Sequence, residues 1–243
     1  MGFLLSPARV GKHRLIMKPR IIVACTTLPD GRRLELHEHD GAPYLHLHGE
    51  QVTGGLTAAA EEELARTACA PFRPARQPRV LVLGLGLGRV LRAALDALPQ
   101  QRASFFVAEP LADLVGWHRE GLAGLDPAAF DDQRLSWINE GPAAALHALP
   151  DPPHAILLHL DAVPAVHESR APGPSEDPGW LSAAHDILLP GGLLALGAAR
   201  PQAKLTTRLR KAGFDVVESK VQGSPGSRKP RPQPLWFARK PGR

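Results

Sequence analysis

The stretch Val80-Leu81-Val82-Leu83-Gly84-Leu85-Gly86-Leu87-Gly88 decides the fold. An apolar run without polar alternation is a strand covered on both faces, which is how parallel sheets are built. It runs into glycines at every second position, where the missing Cβ lets the backbone turn and lets another molecule approach. Arg89–Leu98 follows with helical spacing. Strand, glycine turn and helix in that order open a doubly wound α/β domain, in which ligands bind beyond the carboxyl ends of the strands.

Downstream the same rhythm repeats. Ser104–Ala108, Leu135–Asn139, Ala155–Leu160 and Leu193–Gly197 read as strands. Leu111–Leu125, Ala143–Leu149, Pro178–Leu189 and Gln202–Ala212 read as the helices between and after them, the last stopped by Gly213. Asp215–Val221 and Leu235–Arg239 close the chain as an antiparallel pair. The sum is a Rossmann-like methyltransferase fold with a mostly parallel seven-stranded sheet. Ser224–Pro234, rich in basic residues and proline, reads as a solvated loop between the last two strands.

Upstream the pattern differs. Ile21–Leu28, Arg32–His39 and Tyr44–Val52 are β-rich or alternating, separated by Pro29-Asp30-Gly31 and Asp40-Gly41-Ala42-Pro43 turns. Thr57–Cys69 reads as a helix with Thr57 at its N-cap and glutamates in its early turns. Pro71–Pro78 reads as a linker. The expected organisation is therefore 1–18 as a poorly ordered start (Met17 being a second candidate start), 19–74 as a small antiparallel β unit with a linking helix, and 75–243 as a nucleoside-binding domain.

Composition narrows the classes. The 243 residues carry a formal charge of +5, with much of the excess near the two ends, where it solubilises. Aromatic residues are not grouped with that charge, so single-stranded nucleic acid is not an expected partner. The two cysteines, Cys25 and Cys69, stand far apart without a metal-ligand or disulfide pattern, which fits a reducing cytoplasm. No apolar run approaches the roughly 18 residues of a membrane span.

The glycine spacing speaks to the ligand. A dinucleotide turn places glycines at positions 1, 3 and 6. Here they fall at 1, 3 and 5 (Gly84, Gly86, Gly88), with Arg89 at the sixth. That is a pattern of adenosylmethionine-type sites, which have no pyrophosphate to seat. Glu109 ends the next strand, about 20 residues on, where an acid accepts hydrogen bonds from both ribose hydroxyls.

On these residues the chain resembles the spermidine synthase family, above all its short bacterial spermidine-synthase-like or methyltransferase-like members. The resemblance spans about Thr26 to Lys240. It is carried by Gly84-Leu85-Gly86-Leu87-Gly88-Arg89-Val90-Leu91-Arg92, Val107-Ala108-Glu109, Ala155-Ile156-Leu157-Leu158, the Leu189-Pro190-Gly191-Gly192 turn, and Leu47-His48-Gly49 with Gln51. It implies a β unit stacked on the nucleoside domain, a homodimer often formed through that unit, and S-adenosylmethionine or its decarboxylated form as cofactor, with no metal. The residues implied in cofactor binding are Gly84, Leu85, Gly86, Gly88, Glu109, Pro110, Asn139, Glu140 and Gly141.

The departures bear on chemistry. Leu87 stands where the family carries an Asp in the glycine loop, and Asn139-Glu140-Gly141-Pro142 where it carries an Asp against adenine. After the fourth strand, His159-Leu160-Asp161-Ala162-Val163-Pro164 keeps one acid in place of an acidic segment. A dicationic diamine needs several carboxylates to replace its hydration, so putrescine is not the expected acceptor. Asp161 is the candidate to orient or deprotonate a small unidentified acceptor, and His159, expected on the opposite strand face, is the weaker one. A strand-end or capping role for Asp161 stands beside that reading. Two functions remain open: methyl or aminopropyl transfer, and a catalytically degenerate relative that acts by binding. Finally, His37, His39, His46 and His48 alternate with leucines across the first hairpin, so all four are expected on one face with Glu35 nearby. A polar face or dimer contact is the favoured reading there over a zinc or nickel site.

Overall fold

The computed structural model describes residues 19–162, 173–222 and 231–242. The expectations for residues 1–18 and for most of the Ser224–Pro234 loop lie outside them.

Alternation builds the first sheet. Strands β1 (Ile21–Thr27), β2 (Arg33–His39), β3 (Ala42–Leu47) and β4 (Glu50–Thr53) pair antiparallel in chain order. Leu34, Leu36 and Leu45 face inward and are fully buried. The expected single strand Tyr44–Val52 is two strands. His48 and Gly49 both take positive φ, 51° and 83°, which makes the two-residue turn favoured in hairpins and folds the chain back. Histidine at such a position gives little sequence signal.

Helix α1 (Ala58–Cys69) follows. Thr57 makes no side-chain cap. Its hydroxyl instead exchanges hydrogen bonds with the Gly54 backbone, at 3.1 and 3.2 Å, and so ties the Gly54-Gly55 break to the helix start.

The second sheet has the order β10-β11-β9-β8-β5-β6-β7. Its strands are β5 (Arg79–Leu83), β6 (Ser104–Ala108), β7 (Leu135–Ile138), β8 (Ala155–His159), β9 (Leu193–Gly197), β10 (Asp215–Val221) and β11 (Gln233–Arg239). Strands β5 to β9 are mutually parallel, and β11 runs opposite to both its neighbours. Helices α2 (Arg89–Ala97), α3 (Ala112–Arg119), α4 (Pro142–His147), α5 (Pro178–Ile187) and α6 (Leu205–Lys211) connect these strands, with short 3₁₀ turns at Ala70–Phe72, Pro127–Asp131 and Leu160–Ala162. The α/β class and the mostly parallel seven-stranded sheet are as the sequence reads.

Alternate residues of the buried strands feed opposite faces. Val80, Val82, Ala155 and Leu157 pack under α1 and α2, whereas Leu81, Leu83, Ile156 and Leu158 pack under α4, α5 and α6. A third apolar cluster joins the two sheets: Leu28, Leu34, Leu36 and Leu45 meet Leu87, Leu114, Trp117 and Ala123. Helix α3 stops at Arg119, short of the expected Leu125, because Gly121 takes φ 73° and turns the chain back under Trp117.

Candidate functional site

The chain runs from β5 outward to β6 and β7, then returns to place β8 on the other side of β5. The carboxyl ends of β5 and β8 therefore flank the switch point where open α/β sheets bind ligands. Three segments issue from this edge: the glycine loop after β5, Glu109 after β6, and His159 to Ala162 after β8.

Gly84, Gly86 and Gly88 take φ of 81°, 51° and 74°, a left-handed conformation that side chains resist. They have different tasks. A Cβ on Gly88 would stand 2.8 Å from Leu125 Cβ and 3.3 Å from His118 Cε1, so this glycine serves close packing. The loop is held from behind by His118, which is fully buried. Its Nδ1 accepts from the Leu125 N–H at 3.1 Å, so the ring proton must sit on Nε2, which donates to the Gly86 carbonyl at 2.9 Å. Burial lowers the imidazole to about 4, opposed by the Gly86 hydrogen bond, so the clamp is neutral. In the sequence nothing marks His118 as more than one residue of a helix.

Leu87, in the middle of the loop, is 1% exposed and belongs to the cluster that joins the two sheets. An aspartate there would be an unpaired charge among leucines. The departure from the family pattern at this position thus has a packing cause.

Glu109 is 2% exposed. One carboxylate oxygen accepts from the Leu85 N–H at 2.9 Å, and the other from the Leu111 N–H at 3.0 Å. A carboxylate has about four lone-pair sites, so about two remain, one on each oxygen. Burial pushes the group up to about 7, while those two N–H bonds pull it down. Pro110, between Glu109 and Leu111, is half-buried. At the end of β7, Asn139 and Glu140 are exposed, and Gly141 begins α4 with an ordinary extended φ of −74°.

After β8 the expected separation of His159 and Asp161 does not hold. The strand ends at His159, Asp161 lies in the short 3₁₀ turn Leu160–Ala162 that follows, and His159 Nδ1 lies 3.9 Å from Asp161 Oδ2. That oxygen also accepts the Ala199 N–H at 2.7 Å, tying β8 to the end of β9. His159 is buried, and neither ring nitrogen has a hydrogen-bond partner among the described residues. Gly197, its neighbour in register, makes room: a Cβ there would lie 2.9 Å from His159 Cδ2. Gln233 Oε1 at the start of β11 and Glu61 Oε1 in α1 are likewise buried and unpartnered. Gln233 shares a strand face with Leu235, which pairs with Gly197, and α1 lies over this part of the sheet. Unmet polar atoms in the interior are costly, and their grouping at a strand-end edge marks a place built to be completed by something polar.

Comparison with solved structures places this geometry. The fold is that of the spermidine synthases. Spermidine synthase from Thermotoga maritima superposes with a TM-score of 0.66 at 18% identity, covering 90% of this chain and 72% of the other. A spermidine synthase in complex with the transition state analogue AdoDATO gives 0.64 at 18% identity, covering 90% and 72%. Precorrin-6y C5,15-methyltransferase from Geobacter metallireducens gives 0.52 at 17% identity, over 72% of this chain and 87% of that one. No family model matches the sequence, and no curated protein does.

The hairpin histidines are only partly together. His37 faces Tyr44 and Glu35 faces His46 across β2 and β3, with the His37 and His46 rings 4.4 Å apart and His37 Nε2 2.9 Å from Glu35. His48 lies in the β3–β4 turn and leaves the face the alternation gave it. Among the described residues no group of three or more metal-ligating side chains converges, and no helix is long and apolar enough to cross a membrane.

Proposed function

We propose that the chain binds an S-adenosylmethionine-type nucleoside, S-adenosylmethionine itself or its decarboxylated form, and transfers a methyl or aminopropyl group from it to a small acceptor. The carrying observation is Glu109: a buried carboxylate fixed by the N–H groups of Leu85 and Leu111, with one lone pair left on each oxygen. Two vicinal hydroxyls of a ribose match two such acceptors. Gly84, Leu85 and Gly86 line the approach, Gly88 and His118 hold the turn's shape, and Pro110, Asn139, Glu140 and Gly141 border the base. The likeness to spermidine synthases, one of them solved with AdoDATO, supports the same class of ligand.

When bound, the nucleoside supplies a carbon activated by a sulfonium, whose leaving group departs neutral. What the chain must add is position and a dry setting, because the charge is dispersed as the bond breaks. His159, Gln233 and Glu61 surround the acceptor's place with unpartnered polar atoms. Asp161, held by Ala199, orients the acceptor and takes its proton directly or through His159. An imidazole whose ring nitrogens have no hydrogen-bond partner among the described residues suits an acceptor that gives up a proton as it attacks.

A second reading, binding without turnover, draws on the engagement of Asp161 Oδ2 by Ala199. Calorimetry with S-adenosylmethionine, its decarboxylated form and S-adenosylhomocysteine decides. Preference for the first, lost in Glu109→Ala, favours methyl transfer, and preference for the second favours aminopropyl transfer. Binding with no turnover on any tested amine, thiol or hydroxyl acceptor leaves the second reading. If none of the three binds, the nucleoside proposal fails.

A further inference from the structure

Away from the strand-end edge, a groove of about 350 Å³ runs between α1 and α2, and four arginines line it: Arg66, Arg73, Arg89 and Arg92. Glu62 and Asp96 also line it, which leaves a net charge of +2 (four cations less two anions). Arg66 is occupied with Glu62 and Glu63, at 4.0 and 2.9 Å. The remaining three guanidinium groups have no carboxylate within ion-pair distance among the described residues, and Asp96, one turn from Arg92, is the acid left over.

Two of these three are pinned from behind. Arg73 Nε donates to the Ala97 carbonyl at 3.2 Å, and Arg89 Nη1 donates to the Gly54 carbonyl at 3.0 Å. Each guanidinium has five N–H donors, so each keeps most of its fork free while its position is fixed. The guanidinium of Arg92, an exposed residue, has no hydrogen-bond partner among the described residues.

A second observation is independent of the groove. Arg89 and Arg92 occupy the first turn of α2, a helix that carries no acid in that turn. The amino end of a helix bears a partial positive charge and favours anions, so two cations there are placed against the helix field. An anion seated among them would relieve that repulsion.

We propose that this groove binds a small molecule bearing two or more linked phosphates. Fixed guanidinium forks match pairs of phosphate oxygens, and a net charge of +2 reinforced by the helix end matches a multiply charged group better than a single carboxylate. The volume lies at the lower end of small-molecule sites. Glu62 and Asp96 on the walls disfavour a long polyanion laid across the groove. The site also adjoins the glycine loop, since Arg89 follows Gly88 and the groove residue Gly124 packs on the Leu87 carbonyl.

The test is calorimetry of the full chain with inorganic pyrophosphate at low salt, on the wild type and on Arg92→Glu and Arg73→Gln. Saturable one-to-one binding is expected, weakened roughly ten-fold or more by each substitution, which corresponds to about 1.4 kcal/mol. Unchanged thermal melts and unchanged nucleoside binding show that the variants are folded. Absence of saturable pyrophosphate binding overturns the proposal, as does binding that neither substitution weakens. A tighter and steeply salt-dependent response to a single-stranded oligonucleotide than to pyrophosphate also overturns it, in favour of nucleic acid.

Discussion

If Glu109 receives a ribose, its affinity must depend on pH in a definite direction. Burial raises this carboxyl to about 7. Ribose hydroxyls donate to the ionised form, so the competent fraction of the protein is the fraction ionised, and the apparent Kd scales with its inverse. That fraction rises from about one-tenth at pH 6 to about nine-tenths at pH 8, so binding should tighten about ten-fold over that interval. The probe should be 5′-methylthioadenosine, which keeps base and ribose but has no group titrating in this range. Calorimetry in two buffers of different ionisation heat should read about half a proton released per ligand at pH 7. Glu109→Gln should bind more weakly and show no such slope. The same shift acts on stability. A raised carboxyl pKa stabilises the fold fully below the ordinary value of 4.5 and loses that contribution as pH rises towards about 7, a change of about 3 kcal/mol. Affinity that is flat, or that falls with rising pH, would refute the reasoning, because the free lone pairs of Glu109 would then not be the acceptors.

Other perturbations act on neighbouring links. Leu87→Ala should cost roughly 2–5 kcal/mol in a denaturant melt, by emptying the joint between the sheets. Leu87→Asp should cost more, since it buries an unpaired charge as well. Replacing His118 by Phe strands the Gly86 carbonyl and the Leu125 N–H, at roughly 1–3 kcal/mol for each group. His118 also predicts a sign: its depressed pKa gives stability that is present above about 6.5 and is lost as pH falls through about 4, a loss the Phe variant should not show. Asp161→Asn keeps an oxygen to accept the Ala199 N–H, so nucleoside affinity should survive while turnover on an identified acceptor falls, by roughly 10²-fold or more if the group takes a proton.

The main architecture was legible because its signals are local. Short continuous apolar runs such as Val80–Leu83 and Ile156–Leu158 read as strands covered twice, and glycines at 84, 86 and 88 read as a turn. The hidden parts depend on distance in sequence. Nothing near His118 announces that it will grip Gly86, 32 residues earlier, and nothing near Gln233 says it will reach the Leu56 carbonyl, 177 residues away. The misplacement of His159 has a different origin: residues two apart along a strand share a face, so the opposite faces expected of His159 and Asp161 ran against alternation, and the short turn after the strand leaves the two side chains 3.9 Å apart.

The position of Leu87 ties ligand capture to the far end of the molecule. One side chain caps a core whose other members come from the amino-terminal hairpins and from α3 with the turn after it, so the turn cannot loosen without unsealing that core. Anything that steadies the turn must slow hydrogen exchange in Arg33–His39 and Ala42–Leu47, far from where it docks. The small sheet serves as the spring behind the latch.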